Sequence, residues 1–289
     1  MNYEGQICRS PMERSSYMLP VAVGCSYNAC LFCTLFKHLK HRELPLSQIQ
    51  EEIRRVADFG GAPKHVFLGD GNAFGMDMDR FTTILDMIRE AFPACEGIHM
   101  DATVTDIAGK SDEDLRLLSS MGVRRLYLGI ESGLEDVLRF MNKDHTLAQA
   151  YTQIARIQDV GMIYDAHIMT GIAGAGRGQE NAKATAEFLN RTGPGHLVNF
   201  SLFLHRKAPL YREIQAGHYH PASEWENLEE DLTLLSLLEV PGLKYDSFHD
   251  NLEFRVRGTL PNDKEKMMNS LRQEMETHPE LKEYLRYYA

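Results

Sequence analysis

The sequence predicts an α/β protein: a partial (β/α)6 barrel of the TIM type carrying a mainly helical C-terminal extension. Three observations point there. From residue 19 onward, short apolar, β-branched runs alternate with longer segments of helical period, the signature of βα units around a parallel sheet. Each run delivers the chain straight into a helical segment. The length of 289 residues suits one large α/β barrel as well as two modest domains.

The candidate strands lie at 19–23, 65–68, 98–104, 125–130, 163–169 and 197–204. Between them, "SQIQEEIRRVADFG" offers Ser47 and Gln50 as a capping box, Ile49, Ile53 and Val56 on one face, and Gly60 as a stop. "DRFTTILDMIREAFP" sets Phe81, Ile84, Leu85 and Ile88 at helical spacing and ends before Pro93. "SDEDLRLLSSMG" opens on Ser111 with an acidic first turn, as the helix dipole favours. "SGLEDVLRFM" repeats the Ser-x-x-Glu pattern at Ser132 and Glu135, "TLAQAYTQIARIQDVG" adds a helix, and "QENAKATAEFLN" follows the fifth strand. Right-handed βα connections curl such a sheet toward a barrel whose post-strand loops share one mouth.

Beyond Leu204 the alternation stops. "PASEWENLEEDLTLLSLLEV" reads as a helix, "GLKYDSFHDNLEFRVRGTLP" as irregular with a short strand, and "NDKEKMMNSLRQEMETHPELKEYLRYY" as terminal helices. The expected organisation is a barrel core over 12–205 and an extension over 206–289 packed on it.

Hydrophobic content of 43% and charged content of 25% are ordinary globular values. A net charge of -10 with scattered Lys and Arg leaves no basic stripe able to neutralise many phosphates, so bulk nucleic-acid binding is disfavoured. The start "MNYEGQICRSPMERSS" lacks a signal peptide's basic end and apolar run, and no apolar stretch reaches ~18 residues. The expectation is a cytoplasmic protein without a membrane anchor.

Five cysteines without an export signal, three of them clustered, suit metal ligation better than a disulfide framework. Cys8 and Cys95 stand alone and read as free thiols. In "GCSYNACLFCTLFK", Cys25, Cys30 and Cys33 fall in the loop after the first strand, where a barrel places its chemistry. Three thiolates leave a fourth position open. His38 or His41 could close a zinc site; alternatively, a [4Fe–4S] cluster could keep one iron open for an outside ligand.

Further motifs follow later strands. "LGDGNAFGMD" offers Asp70 and Asn72 with Gly69 and Gly71 for close backbone approach. "LYLGIESGLEDVL" ends the fourth strand on Glu131, a carboxylate able to accept from two hydroxyls. "MTGIAGAGRGQEN" supplies Gly171, Gly174 and Gly176, yet matches neither the dinucleotide fingerprint nor a P-loop. Asp101, Asp165 and His167 could point into the barrel from strands three and five. His249 and Asn251, in "SFHDN", could close its mouth, and His218 and His220 are too few for a metal.

Taken together, the cysteine loop, "FLGDGNAF", "YLGIESG", "GIAGAG", "HLVNFSLFL" and "GTLPNDK" resemble, in this order, the radical S-adenosylmethionine (SAM) superfamily, in its coproporphyrinogen-oxidase-like and elongator-type branch. The first gap between cysteines is one residue longer than that family's commonest Cys-x3-Cys-x2-Cys. The resemblance implies a [4Fe–4S] cluster on Cys25, Cys30 and Cys33, with SAM chelating the open iron. It implies Phe32 near the adenine, Asp70, Gly71 and Asn72 toward the methionine amine, Glu131 on the ribose, and Gly171 and Gly174 along the adenine. It further implies reductive cleavage of SAM to a 5'-deoxyadenosyl radical, hydrogen abstraction from a small-molecule substrate, and a flavodoxin or ferredoxin as electron donor. No side chain stands out as a catalytic proton or hydrogen donor. Competing readings are a zinc-stabilised binding protein, a ferredoxin-like electron carrier, and an RNA- or protein-modifying radical SAM enzyme.

Overall fold

A computed structural model describes residues 9–289; Cys8 lies outside the described residues. The elements run β1 (Tyr17–Gly24), β2 (Arg42–Glu43), α1 (Leu46–Asp58), β3 (His65–Gly71), α2 (Met78–Ala91), β4 (Gly97–Ala102), α3 (Val104–Ala108), α4 (Asp112–Ser120), β5 (Val123–Glu131), α5 (Glu135–Phe140), α6 (Leu147–Asp159), β6 (Ile163–Thr170), α7 (Gly178–Thr192), β7 (His196–Ser201), β8 (Leu204–His205), α8 (Leu210–Gln215), α9 (Glu224–Leu237), β9 (Lys244–His249), β10 (Phe254–Thr259), α10 (Lys264–Thr277) and β11 (Tyr287–Tyr288). All six expected strands form; β3, β4, β5 and β6 are each followed by helix or helical turn, whereas β1 and β7 lead first into the short strands β2 and β8.

The chain forms two compact units, the first comprising residues up to Asn28, 35–128 and 152–164, the second 29–34, 129–151 and 165–289. In the first, strands lie in the order β2-β1-β3-β4-β5, parallel except for the short edge strand β2. β3 buries Val66, Phe67 and Leu68 completely, because a strand covered on both faces must be apolar at successive positions. α2 turns Phe81, Ile84, Leu85 and Ile88 inward, all fully buried. Its N-cap is Asp77, which accepts from the Arg80 N–H at 2.9 Å.

In the second unit β6, β7 and β9 run parallel, with β10 antiparallel to β9. The stretch expected to be largely irregular therefore forms two six-residue strands. Polar residues hid β9: Ser247 and His249 are buried, and their polarity is satisfied by Asp231 of α9. His249 Nε2 lies 2.9 Å from Asp231 Oδ2, and its Nδ1 lies 2.9 Å from Ser201 Oγ. His249 is thus a sheet residue in a saturated network rather than part of a lid. Asn251 likewise donates to Glu224 and accepts from Tyr288.

Two expected caps differ. α1 starts after Pro45 without a side-chain cap, so Ser47 and Gln50 lie inside the helix. Ser132 does not cap α5, whose N-cap is Leu134; its hydroxyl donates to Asn181 and accepts from the Leu134 N–H. This bond belongs to a close approach in which a Cβ on Gly133 would lie 2.3 Å from the Ala184 carbonyl carbon of α7. Gly133→Ala is expected to destabilise the protein by about 2–3 kcal/mol, since neither backbone can retreat freely. The midpoint of urea unfolding measures it; an unchanged midpoint would mean that the contact yields.

Among the described residues no helix is long and apolar enough to cross a membrane.

Candidate functional site

The expected site residues divide between the units, and each group has its own geometry. In the first unit Cys25 follows the last residue of β1, Gly24. A Cβ on Gly71, at the end of β3, would lie 2.1 Å from the Gly24 carbonyl oxygen, and Gly71 has a φ of 153°. Only glycine permits two strand ends to meet this closely. The cysteine turn is braced by Asn28: its N–H donates to Cys25 Sγ at 3.4 Å, its side-chain amide to the Phe36 carbonyl at 2.8 Å, and its own carbonyl accepts from Lys37 Nζ at 2.5 Å.

Asn72 Nδ2 donates to Ser26 Oγ at 2.9 Å and to the Asp106 carboxylate. Its Oδ1 is buried with no partner among the described residues, and a buried acceptor left unmade calls for a donor. Asp70 is 3% exposed. Glu13, in a helical turn before β1, accepts from His99 Nδ1 at 2.8 Å and from Tyr127 and Ser16. Burial works to raise its pKa, but these bonds and the His99 charge hold it at about 2. Asp101, two residues along β4 from His99, is pushed up to about 7 by burial and then by Glu13.

The second unit holds Cys30 and Cys33. Their segment is pinned by two backbone bonds, Leu31 N–H to the Met141 carbonyl and Leu210 N–H to the Leu31 carbonyl, each 2.9 Å. Both cysteines pack on an apolar cluster containing Phe32, Met141, Ile172 and Tyr219. Phe32 and Ile172 of the glycine loop thus belong to one buried apolar cluster.

Glu131 closes β5 with a φ of 66° and is 7% exposed. A buried non-glycine residue in the left-handed region is strained, and such strain gathers at functional sites. Its Oε1 accepts from Lys143 Nζ at 3.1 Å, and Asp144 Oδ1 lies 3.9 Å from the same ammonium. Lys143 Nζ also stands 5.9 Å from the Phe32 ring centroid. Burial pulls the Lys143 pKa down, but Glu131, Cys30 and Asp144 outweigh it and hold it above the ordinary lysine value. Burial pushes the Cys30 thiol up to about 11, offset in part by Lys143. The cysteine segment thus borders a buried cation shared among anions.

The glycine loop takes positive φ at Gly171, Gly174 and Gly176. Gly171 N–H donates to Glu230 Oε2 at 2.9 Å and its carbonyl accepts from Tyr219 at 2.6 Å. Burial pushes Glu230 up to about 8, tempered by the Gly171 N–H and Asn181. A cavity of ≈ 380 Å³ lined by Ile172, Gly174, Phe140, Tyr219, His218 and His220 borders this loop. A larger one, ≈ 600 Å³, lies around Cys95, Gly97 and Gly122, at the N-terminal ends of β4 and β5 rather than at the post-strand loops. His167 is pushed down to about 4 by burial and then by His196 and Lys143.

Lys143, Glu230 and Asp106 were not singled out by the sequence. Lys143 carries the one available signal, a cation twelve positions after Glu131 in "MNKDH". The zinc reading finds little support in His41, whose Nδ1 lies 3.1 Å from the Gly24 carbonyl, or in His38, which is exposed. Among the described residues no three His, Cys, Asp or Glu side chains are gathered as a shell for a single metal ion.

The Radical SAM superfamily pattern matches residues 19–189. Over 197 residues the chain is 24% identical to the heme chaperone HemW of Bacillus subtilis (strain 168), covering 67% of this chain and 51% of that protein. It therefore spans about half the length of that relative. Among solved structures, Elp3 of the archaeon Methanocaldococcus infernus matches with a TM-score of 0.57 at 14% identity, over 92% of this chain and 63% of that one. Coproporphyrinogen III oxidase (HemN) of Escherichia coli, a radical SAM enzyme, matches with a TM-score of 0.53 at 12% identity, over 92% and 52%. Family and fold agree with the cysteine loop after β1, and the chain belongs to the radical SAM superfamily, whose enzymes use a [4Fe–4S] cluster and S-adenosylmethionine.

Proposed function

We propose that this chain is a radical SAM enzyme acting on a small-molecule substrate, with Cys25, Cys30 and Cys33 holding the cluster. The carrying observation is the buried Lys143 ammonium set among Cys30, Glu131 and Asp144. A cation kept dry beside a ligand thiol suits a site that takes up an iron–sulfur centre and a carboxylate-bearing nucleoside. The donor set also fits: soft thiolates for iron, and an unpartnered Asn72 Oδ1 for an incoming N–H donor. When bound and reduced, cluster and SAM supply a 5'-deoxyadenosyl radical that removes a hydrogen atom from the substrate.

The chain's own residues bind and orient. Lys143 pairs with the methionine carboxylate as well as with Glu131, and Glu131 accepts from the ribose hydroxyls. Asp70 and Asn72 receive the methionine amine, with Gly71 giving the backbone clearance. Gly171, held by Glu230 and Tyr219, and Gly174 line the adenine together with Phe32, and the apolar cluster keeps water away. The domain reading accompanies this proposal: a barrel core over 12–205 and an extension over 206–289.

The test is anaerobic reconstitution followed by reduction with dithionite in the presence of SAM. The expected outcome is a brown protein with about four irons and four sulfides per chain that releases 5'-deoxyadenosine. Colourless protein with a single zinc and no 5'-deoxyadenosine would overturn the proposal.

A further inference from the structure

Within the second unit β11 lies parallel to β8, with Tyr287 opposite Leu204 and Tyr288 opposite His205. The Arg206 N–H extends the pairing by donating to the Tyr288 carbonyl at 3.0 Å. Alternation along a strand gives this two-stranded ribbon two faces. On one, Leu204 and Tyr287 join the apolar cluster on which Cys30 and Cys33 pack. On the other, Phe203, His205 and Tyr288 bring three half-buried rings together. The His205 and Tyr288 centroids are 5.2 Å apart, and Phe203 stands 5.9 Å from Tyr288 and 6.3 Å from His205. Tyr288 is held there by its hydroxyl, which donates to Asn251.

Three cations edge these rings. Arg286 carries its guanidinium 5.1 Å from the Tyr288 centroid, and Arg206 and Lys207 are exposed directly after His205. Among the described residues none of the three is ion-paired, in a chain whose 41 acids outnumber its 31 Lys and Arg. The two acids that act on Tyr288 are engaged elsewhere, Asp250 with Arg255 at 3.6 Å and Glu224 with Asn251. Burial and then Lys207 push the His205 pKa down, so at neutral pH it offers a ring rather than a fourth charge. The ribbon begins just past the C-terminal end of β7, the side of a parallel sheet on which ligands bind.

We infer that this face of the ribbon formed by β8 and β11 binds the substrate, and that the substrate is a small planar aromatic compound bearing a carboxylate or phosphate. The three rings supply a stacking ledge. The cations at its rim supply the counter-charge, and a guanidinium pairs with either anion through two parallel bonds. The inference rests on the radical SAM reading above and adds to it a substrate class. A single-stranded RNA is disfavoured because three Lys and Arg side chains neutralise few phosphates.

Reconstituted protein, in excess SAM so that the proposed adenine site is filled, is titrated calorimetrically with two charged rings, flavin mononucleotide and indole-3-acetate. Riboflavin, indole and inorganic phosphate serve as the ring alone and the charge alone. The expected result is that at least one charged ring binds about ten-fold or more tightly than its uncharged counterpart and than phosphate; which one does so identifies the anion. Arg286→Met and Arg206→Met are each expected to weaken it about ten-fold, and Tyr288→Ala by a similar factor, with Tyr288→Phe restoring most of the affinity. Lys183→Met, an exposed charge removed from α7, should change nothing. Should Tyr288→Ala loosen the terminal strand, seen as a lower urea midpoint, the two exposed arginine variants decide. Equal affinity for charged and uncharged rings, or affinity untouched by both arginine variants, would overturn the assignment. So would an RNA octamer that binds more tightly than every ring and is lost in Arg286→Met. Dithionite-driven 5'-deoxyadenosine release by the unaltered protein separates the two proposals. Its absence sinks the radical SAM reading; its presence, with neither charged ring bound, sinks the ledge alone.

Discussion

Cys30→Ala protein is expected to fold, to purify without colour, and to release no 5'-deoxyadenosine. Its iron content is expected to fall from about four per chain to near zero. Buried free cysteine behaves as a small hydrophobe, so truncation itself costs little packing energy. The loss is one of ligation: without iron the Cys30 thiol, pushed up to about 11 by burial, carries its proton at neutral pH. Binding iron expels that proton, so the metal rather than the protein supplies the free energy that makes the thiolate. Cys25→Ala and Cys33→Ala are expected to behave alike, whereas Cys95→Ala, whose half-buried thiol faces the Gly97 carbonyl at 3.5 Å, should keep its iron. Iron and sulfide analysis of the four variants, beside their urea midpoints, checks this. Retention of about four irons by Cys30→Ala would remove that residue from the ligand set.

Much of this was legible in sequence because backbone and metal chemistry leave short, local marks. β-branched runs marked all six core strands, the cysteine spacing marked the loop, and the place of Glu131 at the end of a strand could be read directly. What escaped was long-range. Lys143 sits in a polar stretch between α5 and α6, and nothing local distinguishes it from a solvated lysine; its importance comes from Glu131, twelve residues earlier, and from Cys30. Glu230 looks like one more acid on an acidic helix until Gly171 and Asn181 are seen to bind it. β9 was obscured for the same reason, its inward Ser247 and His249 being balanced by Asp231 of a different helix. Ser132 was misassigned as a cap because Asn181, 49 residues away, takes its hydroxyl.

Lys143→Met is expected to destabilise even the iron-free protein by about 3–5 kcal/mol, the range for removing one partner from a buried ion pair. Methionine fills nearly the same volume, so the effect is electrostatic. The Lys143 and Glu131 side chains are only 8% and 9% exposed, and without the ammonium Glu131 keeps its desolvation cost while losing its counter-charge, whereas Asp144 still has His145 at 3.0 Å. The double variant Glu131→Gln with Lys143→Met should recover part of the loss, because it removes the orphaned charge along with its partner. Lys143→Arg should retain more stability than Lys143→Met, though a planar guanidinium does not reproduce a point charge held at 3.1 Å. Urea unfolding of the iron-free wild type, Lys143→Met, Glu131→Gln and the double variant closes the cycle. In reconstituted protein Lys143→Met should also weaken SAM binding by at least about ten-fold, since the variant loses the proposed pairing with the nucleoside's carboxylate and the ammonium bonded to Glu131. Additive single effects would show that Lys143 and Glu131 act independently, and the shared cation would then explain neither the fold of this loop nor its affinity for a sulfonium nucleoside.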